Sequence, residues 1–537
     1  MGTLRTWLLG LLALGFWLLS VYGTGPAPLP ADAPATDFSA ARAEATLARL
    51  LGPEVPRPSG SAAAAAFRAR LKAELTRIGV PYAERTRQSC YGRKGWHACG
   101  TITNIRALAI PGTGREVLLM AHTDSVPQGP GACDDGCGVA TILETLRALK
   151  ARHLTGNRPV AALFTDGEES GLLGSAAYAR DPADLARTGA VVNVEARGNR
   201  GQSVLFQTSP GDAALIDLYA RAAPHPAASS LYDEIYKVMP TDTDLTPFLA
   251  AGATGVNFAF IGGVRDYHTA RDRRAAISLR SLQHEGENVL AMTAALATVD
   301  PAGLKSGNAI YLDIFRRWLP RLPMAWALPL SLAAFLAIAL AGYWTPRTRR
   351  APRRPVAAAL APMALLALCI GAGFALHGLA GWIGGHADPS RPHPVWLRWS
   401  LALGVWGAGL FTARWAGGIA CWLWFAALAA AAAIWLPGFS PYFLFPALVA
   451  APLLLATVRG GRGLAYLLSA LAALAVWVPF NAGAEDIGGL SLHPIFTVTA
   501  AFAVLALLPL MAGKRHGVSA LVSLALALAF AVAAGLG

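Results

Sequence analysis

Beyond residue 320 only three carboxylates remain, Asp388, Glu485 and Asp486, in a stretch that runs to residue 537. A soluble domain of that size cannot be solvated by so few charges, so this part of the chain folds against an apolar solvent. Eight apolar runs divide it, near 323–343, 356–380, 397–413, 416–436, 441–457, 464–480, 495–512 and 517–536. Their lengths suit helices crossing a hydrocarbon layer about 30 Å thick. The basic connections "TPRTRRAPRR", Arg414, "RGGRG" and "GKRHG" alternate with "GGHADPSRPHP" and "NAGAEDIGGLSLHP", which contain all three acids. Positive charge is retained on the cytoplasmic side of a bilayer, so the alternation orients the bundle.

Residues 1–320 carry 32 of the 45 Lys and Arg and 29 of the 32 acids, which leaves most of the net charge of +13 to the apolar half. A basic surplus placed between membrane spans serves orientation; no nucleic-acid partner is expected, and the partners are membrane lipid and the substrate. The run "WLLGLLALGFWLLSVYG" (Trp7 to Gly23) follows Arg5, lacks a closing A-x-A site and is long for a signal peptide's apolar segment. It is expected to be an uncleaved anchor, the first of nine spans. Residues 24–320 then lie on the extracytoplasmic side, periplasmic or lumenal. The expected division is an anchor over 1–24, a Pro/Ala linker over 25–38, a catalytic domain over 39–305 and a membrane domain of about eight helices over 306–537. The spans contain no Asp or Glu, and His377 is their clearest ionisable group. Coupled transporters place carboxylates at depth, so the bundle is expected to anchor, oligomerise or feed substrate instead.

Within the exported part, "SAARAEATLARLLG" and "GSAAAAAFRARLKAELTRIGV" have helical spacing and end at glycine. Short apolar runs then alternate with helical ones: "EVLLMAH", "GVATILETLRALKA", "RPVAALFTD", "GLLGSAAYARD" and "GAVVNVEA". Strands follow at "SVLFQT" and "TGVNFAFIG", and "SLQHEGENVLAMTAALATV" is a closing helix. This pattern predicts an α/β fold, a mainly parallel central sheet with helices on both faces.

The polar residues acquire meaning on that sheet. His122 and Asp124 follow the first strand, "DGEES" (Asp166 to Ser170) follows the second, and Glu195 ends the third. Ligand crevices of open α/β sheets lie outside the carboxyl ends of the strands. Asp134 and Asp135, in "GACDDGCG", precede the first covering helix; an Asp pair there is also an ordinary helix cap. Singly each feature is equally at home in a solvated turn. Together they bring five acids to one rim without a basic counterpart, an arrangement that a bound divalent cation makes tolerable. "RDYHTARD" adds His268 at another strand end. Mixed nitrogen and oxygen donors suit zinc better than calcium or magnesium. His225 and His284 lie outside these motifs and are expected to be surface residues.

Cys90 and Cys99 bracket a polar loop in an exported domain, where a disulfide is expected to form. Cys133 and Cys137 form a C-x3-C without a second pair, which points to a further disulfide or to two packed thiols more than to zinc. Cys369 and Cys421 lie in spans as small apolar fillers.

The ordered set "AHTDS", "GACDDGCG", "FTDGEESGLLGS", "NVEA" and "DYHT" resembles the co-catalytic dizinc aminopeptidases, family 28 of the metallopeptidases in the MH clan. The resemblance runs from about Ala40 to Asp300. "VEARG" with "VLFQTSPG", and "PTDTDLTPFLAAG", are most similar to its membrane-bound subgroup, the endoplasmic reticulum metallopeptidase and vacuolar membrane protease type. It implies a zinc-exopeptidase-like fold and two Zn2+ ions. His122 and Glu195 would hold one, His268 and Glu169 the other, and Asp134 would bridge them. Asp124 would orient His122, Glu168 would be the general base acting on a zinc-bound water, and Tyr267 would donate to the oxyanion. Asp135 would cap the helix starting at Gly136. The activity implied is peptide-bond hydrolysis, an aminopeptidase first. A carboxypeptidase or deacylase on the same site is the alternative, because Glu195 stands where the soluble aminopeptidases often have aspartate. A scaffold or receptor that kept the fold without activity is a further reading, against which all six candidate groups are retained. Single-zinc glutaminyl cyclases typically lack the first histidine, which is present here as His122.

Overall fold

A computed structural model describes residues 2–22, 25–93, 95–154, 158–345, 355–390, 392–512 and 516–536. Two compact units emerge, Gly25–Met324 on the one hand and the N-terminal helix with Ala325–Gly537 on the other.

The 25–324 unit is built on a seven-stranded sheet: β1 (Tyr82–Arg93), β2 (Trp96–Ile110), β3 (Glu116–His122), β4 (Val160–Thr165), β5 (Thr188–Ala196), β6 (Arg200–Thr208) and β7 (Thr254–Gly262). Their order is β1-β2-β4-β3-β5-β7-β6. The four central strands, β4, β3, β5 and β7, run parallel, while β1, β2 and β6 add antiparallel edges. The sheet is therefore mixed, with the expected parallel strands at its centre.

Every residue of β3, β4 and β5 is buried, as strands covered on both faces require. Alternation then sorts side chains between the faces. Val117, Leu119 and Ala121 pack with the helices Ala40–Leu51, Ala62–Arg77, Gly136–Ala151 and Leu279–Leu296. Leu118 and Met120 pack on the other face with Tyr178, Leu245 and Phe248. The edge hairpin β1–β2 has no counterpart in the sequence pattern. "YAERTRQSCYGR" is polar, and most of its residues are exposed, so apolar periodicity gives no sign of a strand. Cys90 faces Cys99 in its register, and the two form a disulfide.

Residues 25–39 contain no helix or strand but are held by side chains. Leu29 N–H donates to Gln283 Oε1 at 2.9 Å, Gln283 Nε2 donates to the Phe38 carbonyl at 2.8 Å, and Arg42 donates to the carbonyls of Ala31 and Ala33. At the other end the compact unit reaches Met324, beyond residue 305. Ala309–Tyr311 pairs with Arg321–Pro323, and the Ser230 hydroxyl donates to the Tyr311 carbonyl at 3.0 Å.

The other unit is helical. Among the described residues six helices are long and apolar enough to cross a membrane: Met324–Tyr343, Pro355–Gly384, Gly418–Trp435, Arg462–Asp486, Leu490–Met511 and Gly517–Leu536. The chain is thus a multi-pass membrane protein. The remaining expected spans are also helices, at Gly2–Tyr22, Pro394–Thr412 and Pro441–Ala456, but do not join these six. The basic segments 346–354 and 513–515, on which orientation was read, lie outside the described residues. Glu485 differs from expectation: the helix Arg462–Gly488 continues through it, and its carboxylate pairs with Arg398 at 2.6 Å. An opposite charge on a neighbouring helix makes a carboxylate tolerable there.

Candidate metal centre

Strand ends deliver the site. His122 closes β3, and Glu195 stands one residue before the end of the adjacent strand β5. Glu168 and Glu169 lie in the loop after β4, and His268 in the turns after β7. Asp134 immediately precedes Asp135, which caps the helix Gly136–Ala151 by accepting from Gly138 N–H at 3.0 Å. Glycine is required at 138, since a Cβ there would fall 2.3 Å from Asp135 Oδ1. The second oxygen of Asp135 accepts from His122 N–H at 3.2 Å. The cap thereby ties the helix start to the end of β3.

Asp134 is the centre of the cluster. Its Oδ1 lies 3.2 Å from His122 Nε2 and its Oδ2 lies 3.1 Å from His268 Nε2. Glu195 Oε2 is 3.8 Å from His122 Nε2, and Glu169 Oε2 is 3.2 Å from His268 Nε2. The donor atoms of His122, Asp134 and Glu195 lie within 4.8 Å of one another; so do those of Asp134, Glu169 and His268, and of His122, Glu168 and Glu169. Tyr267 stacks on His268 with ring centres 3.8 Å apart. The sequence-selected residues His122, Asp134, Glu168, Glu169, Glu195, Tyr267 and His268 are therefore gathered in one place.

Asp124 differs in detail. The His122 Nδ1 contact runs to its backbone carbonyl at 3.1 Å, while its carboxylate is 3.7 Å away. The carboxylate accepts instead from the amides of Glu168 and Glu169. The tautomer of His122 is set by the carbonyl, and Asp124 holds the loop that carries two further candidates.

Three supporting groups carry no sequence signal. Arg57 is buried and donates from Nε to the Thr123 carbonyl at 2.8 Å and from Nη2 to the Gly131 carbonyl at 2.8 Å, with a further bond to the Pro130 carbonyl. It supplies positive charge near Asp124, Asp134, Asp135 and Asp272, so the rim does have a basic counterpart. Asp272, the last residue of "RDYHTARD", accepts from the amides of Cys133 at 2.8 Å and Asp134 at 3.1 Å. Asn193, two residues before Glu195 and so on the same face of β5, donates to Glu195 Oε1 at 3.3 Å.

The other candidates are structural. Cys133 and Cys137 are buried thiols with sulfurs 3.4 Å apart. His284 is not a surface residue: buried, it contacts the Ser203 amide and the His225 carbonyl, and burial pushes its pKa down to about 3.

The donor set fits a divalent cation. Burial pushes Glu195 up to about 8 and Glu169 up to about 7, and it raises Glu168 well above the usual carboxylate range. Burial opposes charge on His268, but the carboxylates of Asp134 and Glu169 beside it raise it to about 10. Burial thus disfavours the charge on these carboxylates, and the positive charge of a metal ion would offset that cost. His268 Nε2 and Glu169 Oε1 are also buried without a well-formed hydrogen bond among the described residues, as donors aimed at an ion would be.

Residues 104–293 match Peptidase family M28. The chain is 34% identical over 222 residues to endoplasmic reticulum metallopeptidase 1 of Mus musculus, covering 40% of this chain and 25% of that protein. It is 34% identical over 208 residues to a vacuolar membrane protease of Eremothecium gossypii, covering 38% of this chain and 20% of that protein. The match thus spans about a quarter or less of these relatives' length. A zinc aminopeptidase from Bacillus subtilis superposes with a TM-score of 0.39 at 17% identity, covering 50% of this chain and 97% of that one. By the match to that family model, residues 104–293 form a Peptidase family M28 domain.

Proposed function

We propose that the protein is a zinc metallopeptidase holding two ions and acting as an aminopeptidase, with its 25–324 unit on the extracytoplasmic side. The observation that carries the reading is the placement of Asp134, whose two oxygens each face a different histidine at 3.1–3.2 Å. A carboxylate so placed suits a bridge, with Glu195 beside His122 and Glu169 beside His268 completing the two ligand sets.

Zinc, when bound, supplies the Lewis acidity that polarises a peptide carbonyl and makes water a competent nucleophile near neutral pH. Glu168 is left as the base, because neither ligand set requires it. Burial raises its proton affinity, which suits a group that accepts a proton from water and returns it to the leaving amine. Tyr267, whose ring stacks on His268, would donate to the oxygen on which charge develops. Asp124 and Asp272 orient the ligand-bearing loops through backbone amides.

The test is to assay the purified full-length protein on peptides with free and with blocked amino ends, with and without chelator, alongside its metal content. Chelator-sensitive release of amino-terminal residues, with two zinc ions per chain, is expected. Cleavage confined to blocked peptides would favour the carboxypeptidase or deacylase alternative, and chelator-insensitive turnover would end the metallopeptidase reading. Protease protection of residues 25–324 in sealed vesicles decides the side.

A further inference from the structure

The β1–β2 hairpin reaches the loop that carries Glu168 and Glu169. Behind that loop, Gly171 and Leu172 donate their amides to the Glu168 carbonyl at 2.9 and 2.8 Å, and Leu173 donates to the Gly167 carbonyl at 2.9 Å. The hairpin covers this turn. The Trp96 ring lies so close to Gly171 that a Cβ there would fall 2.8 Å from Trp96 Cζ3 and 3.0 Å from Ala98 Cβ. With φ at +117°, position 171 excludes a side chain on two counts. Leu172, Leu173 and Ala176 form a small apolar cluster with Tyr91 and Ile102 of the hairpin, Trp96 and Ala98 packing against it.

Polar contacts pin the same region. The Ser89 hydroxyl donates to the Leu173 carbonyl at 2.7 Å, and Arg180 donates to the Cys90 carbonyl at 2.8 Å while lying over the Tyr91 ring. Arg93 pairs with Asp242 at 2.6 Å, joining the hairpin to the segment that leads to Asp244. Two exposed strands would fray at such a tip, and the Cys90–Cys99 disulfide closes it one ladder beyond Ser89. Sheet packing alone does not explain why polar strands carry an aromatic ring, a cross-link and an ion pair at this end.

We propose that the disulfide-closed tip of this hairpin, through Trp96 on Gly171, is a positioning device for the Glu168–Glu169 loop, and that it governs turnover more than substrate affinity. Trp96 is a positioning residue: it acts through the backbone of residues 168–173. The proposal rests on the metallopeptidase reading for its kinetic part only. A base must sit within hydrogen-bond reach of the proton it takes, and misplacement by about 1 Å costs on the order of 100-fold in rate.

The test compares Trp96→Ala, Trp96→Phe and the Cys90→Ser/Cys99→Ser pair in the full-length protein, using kcat, KM, zinc content and hydrogen exchange at the amides of Gly171, Leu172 and Leu173. In saturating zinc, Trp96→Ala is expected to lower kcat about 10- to 100-fold, with KM and zinc content unchanged, and to speed exchange at those amides. Trp96→Phe is expected to recover most of both. If Trp96→Ala does not fold, the double serine variant is expected to show both effects. Unchanged exchange at residues 171–173 overturns the proposal, as does a loss of kcat that tracks loss of zinc. If the wild-type chain hydrolyses no peptide, the metallopeptidase reading falls, and the exchange measurement still decides the positioning role.

Discussion

The carboxylate of Asp124 accepts the backbone N–H of Glu168 at 3.2 Å, and its second oxygen accepts that of Glu169 at the same distance. One side chain after β3 thus fixes the loop after β4, while its carbonyl orients His122. Replacement Asp124→Asn turns one acceptor into an NH2 group facing an N–H, which breaks one of the two bonds. Zinc affinity is expected to fall about 10- to 100-fold, as for other partners behind metal ligands. Competition with a chromophoric chelator measures it, and an affinity equal to wild type would remove Asp124 from this role.

Glu168 and Glu169 are adjacent but are assigned different tasks. Glu168→Gln is expected to keep full zinc content while hydrolysis falls about 100- to 10,000-fold. Elemental analysis with steady-state rates makes the comparison. Loss of zinc from Glu168→Gln, with zinc retained in Glu169→Gln, would mean the two roles are exchanged.

Arg57 holds three carbonyls and places its charge among Asp124, Asp134, Asp135 and Asp272. Truncation to alanine leaves buried acceptors unpaired and the acids with less compensation. A loss of about 3–5 kcal/mol in unfolding free energy is expected for Arg57→Ala. Denaturant unfolding in detergent would show it; a change below about 1 kcal/mol would mark the arginine as dispensable to the rim.

Glu285 is buried on the closing helix, accepting from Thr141 at 3.2 Å and Ser203 at 3.1 Å, and burial pushes its pKa up to about 8. The folded chain keeps this proton up to that pH, whereas an unfolded chain releases it near 4.5. Folding takes up a proton between those values, so the stability present below pH 4.5 is lost as pH rises to about 8. Glu285→Gln, neutral throughout, is expected to melt above wild type at pH 9 and to show a shallower decline between pH 5 and 8. Thermal unfolding across that range checks the sign, and a parallel pair of profiles would refute it.

Much of the site was legible because it lies at strand ends, where local pattern and chemistry coincide. "EVLLMAH" predicts both a buried strand and a histidine at its carboxyl end, and β3 closes on His122. The Asp135 cap follows from an Asp before glycine at a helix start. The β1–β2 hairpin was not legible, since its strands are polar and its pairing is settled by contacts with β4 and the 168–173 loop. Glu485 reads in the sequence as part of the connection "NAGAEDIGGLSLHP", and its partner Arg398 lies 87 residues away.

By itself the sequence determined where apolar solvent is needed, which short segments form buried strands, and which donors stand at their ends. These are properties of short segments, set by side-chain period and by the chemistry of a few neighbours. Tertiary structure alone decided that Arg57 meets the acids, that Asp272 holds the amide of Asp134, and that the Asp124 carboxylate serves a loop instead of His122. Those pairings join residues 44 or more positions apart, or take their geometry from folded backbone, and no periodicity records either.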